Sequence, residues 1–111
     1  MVQDARLKDI ILTLVEKIKE GYQPEKIILY GSFAYGNPDR DSDIDLLIVK
    51  DTNARPIDRR ITVRRMVSGN KNKGYPFSSI VVTPEELKKR LEIGDQFLEE
   101  IVSKGEVLYA K

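Results

Sequence analysis

Cysteine, histidine and tryptophan are all absent from the 111 residues. The first two absences exclude disulfides, thiol nucleophiles, Cys/His zinc sites, Ser-His-Asp triads and histidine acid–base chemistry. Whatever chemistry the chain performs must come from carboxylates, hydroxyls, Lys and Arg. An excess of one charge is missing too: 19 basic residues against 18 acidic leave a net charge of +1, so no global basic field argues for nucleic-acid binding. No apolar run reaches the roughly 18 residues that a membrane span needs. Met1-Val2-Gln3-Asp4 carries no signal-peptide pattern, and a cytoplasmic location is the default expectation. What is present, 41% hydrophobic and 33% charged residues, suffices for a core and a wet surface, and the length fits one domain over 1–111.

Leu7, Ile10, Ile11, Leu14 and Ile18 fall at i, i+3, i+4, i+7 and i+11, which predicts an amphipathic helix over about 3–20 with Gly21 as its left-handed stop. Pro24 bars a helical restart before the apolar run Ile27-Ile28-Leu29-Tyr30, read as a buried strand. Gly31-Ser32 breaks that strand, Phe33-Ala34-Tyr35 fits one helical turn, and Gly36-Asn37-Pro38-Asp39 is a cluster of turn formers. Asp43 to Val49 reads as a second strand, whose period of two puts Asp43 and Asp45 on one face and Ile44 and Leu46 on the other.

Pro56 begins a helix reaching about Val67, with Ile57, Ile61 and Met66 or Val67 expected inward and Arg59, Arg60, Arg64 and Arg65 outward. With Lys71 and Lys73 in the following loop, these arginines are the chain's one basic concentration, readable as a solvated face or as a site for phosphate, RNA or an acidic partner. Tyr35, Tyr75 and Phe77 read as packing residues, with base stacking as the alternative. Phe77 to Val82 predicts a third strand, and Thr83-Pro84-Glu85-Glu86 a helix start with acids at the positive dipole end. Asp95 is placed to cap a last helix carrying Phe97, Leu98, Ile101 and Val102, and Val107-Leu108-Tyr109 closes the chain as a strand. The order α-β-α-β-α-β-α-α-β predicts an α/β or α+β domain with one mixed sheet of about four strands.

The stretch from Gly31 to Asp45 carries the chemistry. Two carboxylates at i and i+2 of a strand converge on a hard cation such as Mg²⁺, whose oxygen ligands also include nucleotide phosphates. Ser32 offers a hydroxyl, the backbone N–H groups opening the next turn favour an anion, and Gly31 lets the backbone approach phosphates without a side chain in the way.

Gly31-Ser32-Phe33-Ala34-Tyr35-Gly36, six residues, then Asp43-Ile44-Asp45-Leu46 resembles the signature of the DNA polymerase β-like nucleotidyltransferase superfamily, in particular its minimal nucleotidyltransferase (MNT) branch. Val82-Thr83-Pro84-Glu85-Glu86-Leu87 and Gly105-Glu106-Val107-Leu108-Tyr109 look like the family's strand-to-helix junction and closing strand, so the resemblance covers nearly the whole chain. It implies a nucleotidyltransferase fold and Mg²⁺-dependent transfer of a nucleoside monophosphate from an NTP, with release of pyrophosphate. Gly31 and Ser32 would hold the triphosphate, and Asp43 and Asp45 would ligate a metal pair and be the catalytic carboxylates.

The family pattern adds a third carboxylate on the later central strand. Here that strand carries Ser78 and Ser79, and a hydroxyl neither neutralises a dication nor accepts a proton at neutral pH. Asp39, Asp41 and Asp58 are conceivable substitutes that spacing alone does not bring into the site. MNT proteins commonly pair with a HEPN-domain toxin, which they neutralise by transferring AMP to it. The first expectation is therefore an antitoxin-type adenylyltransferase using ATP and Mg²⁺ on a HEPN partner's hydroxyl. The second is a catalytically degenerate relative that neutralises its partner by binding, and the third an enzyme acting on a small hydroxylated molecule.

Overall fold

A computed structural model describes residues 1–39, 41–67 and 76–111. The chain begins with α1 (Ala5–Tyr22), whose first N–H groups are capped by the Asp4 carboxylate, which accepts from Arg6 and Leu7 at 2.8 and 3.2 Å. This helix outlasts the expected stop at Gly21. Its left-handed terminus is Gln23, at φ 53°, while Gly21 lies against Met66, whose sulfur would stand 3.2 Å from an added Cβ. Gly21 therefore serves the packing of one helix on another.

The remaining elements are β1 (Lys26–Tyr30), α2 (Ser32–Tyr35), β2 (Ile44–Val49), α3 (Pro56–Val67), β3 (Phe77–Val82), α4 (Pro84–Glu92), α5 (Gln96–Lys104) and β4 (Glu106–Ala110). They follow the order expected from the sequence. The sheet runs β3-β2-β1-β4, with β2 and β3 parallel and the other neighbours antiparallel. The chain is thus a mixed α+β domain with one four-stranded sheet.

β2 is central and nearly continuous in apolar side chains because helices pack on both of its faces. On one face Ile44, Leu46 and Ile48 meet Ile11, Leu14 and Ile18 of α1 and Val63 and Val67 of α3. On the other, Ile28 and Leu47 pack with Leu98 and Ile101 of α5, flanked by Leu87 and Leu91 of α4. Truncating a fully buried leucine such as Leu46 or Leu47 to Ala would cost about 2–5 kcal/mol. The second helical layer does not extend over Asp45, which remains half-buried at the open end of that face.

α3 departs from its expected orientation. Ile57 and Ile61 are 52% and 40% exposed, and the inward stripe is Arg59, Val63 and Val67. Arg59, expected on the outer surface with Arg60, Arg64 and Arg65, is only 5% exposed. Its burial is possible because its guanidinium is satisfied: it donates to Ala54 O at 2.8 Å, Val81 O at 3.2 Å and both Glu86 carboxylate oxygens at 2.7 and 3.1 Å. Lys71, Lys73 and Tyr75 lie outside the described residues. Among the described residues, no helix is long and apolar enough to cross a membrane.

Candidate active site

The site forms where β1 ends and β2 and β3 begin. Tyr30 closes β1 opposite Asp45, and the chain then turns at Gly31, with φ 78° and ψ −165°. This conformation is nearly confined to glycine. A side chain is excluded sterically too, since a Cβ on Gly31 would stand 2.5 Å from Asp45 Oδ2. Gly31 is thus pressed against the carboxylate, and Ser32 opens the single-turn α2 immediately beyond it. The Gly31 carbonyl accepts from the N–H groups of Ala34 and Tyr35 at 3.0 and 3.1 Å, which fixes that turn.

Asp45 lies in β2, with exposed Asp43 just before the strand on the same side of the alternation. The parallel register sets Asp45 against Ser78 and Leu46 against Ser79, so only Ser78 shares the Asp45 face. The Ser78 hydroxyl donates to Asp45 Oδ1 at 3.3 Å. Of the two serines, Ser78 and not Ser79 therefore shares the face of Asp45.

Burial pushes the Asp45 carboxyl above its ordinary range, the Ser78 hydrogen bond pulls it back, and the negative charge of Asp43 raises it further. The phenol of Tyr30 is pushed up to about 12, first by burial and then by Asp45. Tyr30 was read from the sequence only as part of a buried strand, and its place beside Asp45 follows from the antiparallel register. Its ring meets that of Phe97 edge-on, with centroids 5.8 Å apart and planes at 86°. Phe97 is 52% exposed beside this site.

Gly31, Ser32, Asp43 and Asp45 are thus gathered at one end of the sheet. Among the conceivable substitutes for a third carboxylate, Asp58 pairs with Arg55 at 3.0 Å, and Asp39 accepts from Asp41 N–H at 2.9 Å and from the Ser42 hydroxyl at 3.2 Å in its own turn. Among the described residues, no three carboxylates form a cation-binding group. Mg²⁺ commonly takes one or two protein carboxylates and completes its shell with phosphate oxygens and water, so the pair fits one such ion with a bound triphosphate.

Of the concavities on the described surface, two lie at opposite ends of β3. A cleft of about 170 Å³ lies beside Ser78, lined by Ile57, Arg60, Ile61, Arg64, Phe77 and Ser79. Arg60 and Arg64 thus border the site, whereas Arg65 is exposed and does not line it. Another hollow, about 520 Å³, is lined by Asp51, Thr52, Arg59, Thr83, Glu86 and Lys89. It lies past the last residues of β2 and β3, at the opposite end of the strands from the carboxylates, and we assign it no part in the chemistry.

Residues 11–107 match a family model described as a nucleotidyltransferase domain. The fold is similar to the crystal structure of a candidate nucleotidyltransferase from Sulfolobus solfataricus, at a TM-score of 0.63 and 23% identity, over 96% of this chain and 82% of that one. No curated protein matches the chain by sequence.

Proposed function

Because the chain belongs to the nucleotidyltransferase domain family, we propose that it transfers AMP from ATP to a hydroxyl on a partner protein, a HEPN-domain toxin, and acts as its antitoxin. The observation that carries this reading is the contact of Gly31 with Asp45, which puts the Gly31-Ser32 turn and a carboxylate pair side by side on neighbouring strands.

Asp43 and Asp45 would hold one Mg²⁺, and a second cation would need a ligand from outside this pair. When bound, the ion neutralises phosphate charge and makes the α-phosphorus more electrophilic. Ser32 and the backbone opening α2 hold the β- and γ-phosphates, and Gly31 keeps that backbone close. The acceptor approaches from the β3 side, where the Ser78 hydroxyl can position it but cannot take its proton at neutral pH. Such a site works slowly, since general-base assistance is worth about 10²- to 10⁴-fold.

The same serine supports a second reading, a degenerate member that neutralises its partner by binding alone. The two are separated by the intact mass of the co-purified partner after incubation with ATP and Mg²⁺, comparing the natural chain with the Asp43→Asn, Asp45→Asn double variant. An AMP adduct formed only by the natural chain supports transfer. No adduct, with the complex intact in both, supports neutralisation by binding.

A further inference from the structure

β2 lies between β1 and β3, so Asp45 has Tyr30 on one side and Ser78 on the other. On the reading above, phosphates held at Gly31-Ser32 would occupy the β1 side and leave the β3 side to the acceptor. Beside Ser78, α3 presents Ile57, Arg60, Ile61 and Arg64 to the cleft of about 170 Å³.

Three properties of this cleft are independent of the carboxylates. Arg60 and Arg64, one helical turn apart, are both exposed, and neither has an ion-pair partner among the described residues. The exposed Ile57 and Ile61 place apolar surface between and beside these charges. Finally, β3 is the outer strand of the sheet. Its ladder to β2, from Ile44 N–H on Pro76 O to Lys50 N–H on Val82 O, uses the even-numbered residues. The main-chain groups of Phe77 and Ser79 therefore point to the outer edge, whereas Val81 O is already taken by Arg59 at 3.2 Å.

We propose that this cleft docks the acceptor and that the acceptor is an acidic, extended polypeptide segment lying along the edge of β3. Its carboxylates meet Arg60 and Arg64, an apolar side chain covers Ile57 and Ile61, and its backbone pairs with Phe77 and Ser79. The assignment rests on the nucleotidyl-transfer reading above. In the transfer, the segment's hydroxyl oxygen bonds to the α-phosphorus, and the bond from that phosphorus to the β-bridging oxygen breaks. Pyrophosphate leaves with the electron pair, and the hydroxyl proton passes to water. An RNA strand fits less well, because it calls for a longer row of cations along its phosphates, and among the described residues this cleft is lined by two arginines set among isoleucines.

The test uses fluorescein-labelled poly(Glu,Tyr) as acidic acceptor, with poly(Lys,Tyr) and a uridine oligomer as comparisons. Binding is read by anisotropy, and AMP transfer in parallel from α-labelled ATP with Mg²⁺. The natural chain is expected to bind poly(Glu,Tyr) and not poly(Lys,Tyr). The Arg60→Glu, Arg64→Glu variant is expected to bind at least about tenfold more weakly at an unchanged melting temperature. Equal binding by that variant overturns the proposal, as does tighter binding of the uridine oligomer. Loss of ATP binding in the variant also overturns it, since the arginines would then be nucleotide ligands. Arginine-dependent binding without label transfer supports the docking site and counts against the transfer reading alone.

Discussion

Ser78 stands across from Asp45 in the parallel register of β2 and β3, and its hydroxyl donates to Asp45 Oδ1 at 3.3 Å. Asp45 is therefore bordered by a phenol on β1, a hydroxyl on β3 and the bare backbone of Gly31. Its negative charge meets another at Asp43, and among the described residues the Ser78 hydrogen bond is what eases its ionisation.

Ser78→Asp tests whether this position belongs to a cation site. Without a divalent ion, a third negative charge beside Asp45 should destabilise the fold by about 1 kcal/mol or more, lowering the melting temperature by about 4–8 °C for a domain of this size. Mg²⁺ should restore the loss, and AMP transfer should rise by about 10²-fold as a proton acceptor is supplied. Melting curves with and without Mg²⁺ check the first part, and single-turnover transfer the second. A variant whose melting ignores Mg²⁺ would separate position 78 from the cation.

Asp45→Asn should abolish transfer while leaving the fold no less stable. The Asp45 carboxyl is held above its ordinary range, chiefly by burial. For an acid shifted upward, the ionised form is disfavoured in the folded state, so the natural chain carries this cost at neutral pH. The cost disappears as pH falls through the raised value and the group protonates. In Mg²⁺-free buffer the variant should therefore melt at or above the natural chain at pH 7, and the gap should close in acid. A variant that melts well below the natural chain at pH 7 would show that Asp45 stabilises the fold.

The element order and the gathering of Gly31, Ser32, Asp43 and Asp45 were legible because their signals are local: a glycine at a strand end, alternation along a strand, a Thr-Pro helix start and an Asp cap. Choosing between Ser78 and Ser79 was not, because it depends on a register set by strands more than 25 residues apart in the chain. α3 failed for a related reason. Ile57 and Ile61 form one stripe at i, i+4, while Arg59, Val63 and Val67 form another at i, i+4, i+8. The second faces the core because a carboxylate 27 positions away meets the arginine, and no local periodicity contains that information.

Gly31→Ala should cost about 2–4 kcal/mol, combining a backbone conformation close to glycine-only with a methyl group 2.5 Å from Asp45 Oδ2. Since Asp45 is the group that must move, the loss should extend to function even where the variant folds. Urea denaturation reads the first effect, and Mg²⁺-dependent ATP binding below the unfolding temperature reads the second. A stable variant with normal ATP binding would mean that the turn can relax without displacing the carboxylate.

Arg59 and Glu86 make the acid sensitivity of the fold predictable. The guanidinium grips both Glu86 oxygens, and Glu86 Oε1 also accepts from Thr83 N–H at 3.0 Å while the Thr83 hydroxyl accepts from Glu86 N–H at 3.0 Å. One carboxylate therefore closes the cap of α4 and neutralises a buried cation of α3. The Arg59 hydrogen bonds are the main cause holding the Glu86 carboxyl below its ordinary range, followed by the Thr83 backbone N–H. A depressed acid stabilises the fold above its unfolded pKa of about 4.3, and that contribution is lost as pH falls through the folded value. Because the Glu86 side chain is 44% exposed, solvent screening should hold the cost of Glu86→Gln at pH 7 to about 1 kcal/mol, below the 3–5 kcal/mol of a fully buried pair. Arg59→Leu should cost more, about 3 kcal/mol, since it also strips the donors from Ala54 O and Val81 O. Urea denaturation from pH 7 down to pH 3 should show the natural chain converging on Glu86→Gln in acid. A penalty for Glu86→Gln that stays constant across that range would assign the glutamate's effect to its shape and hydrogen bonding, and not to its charge.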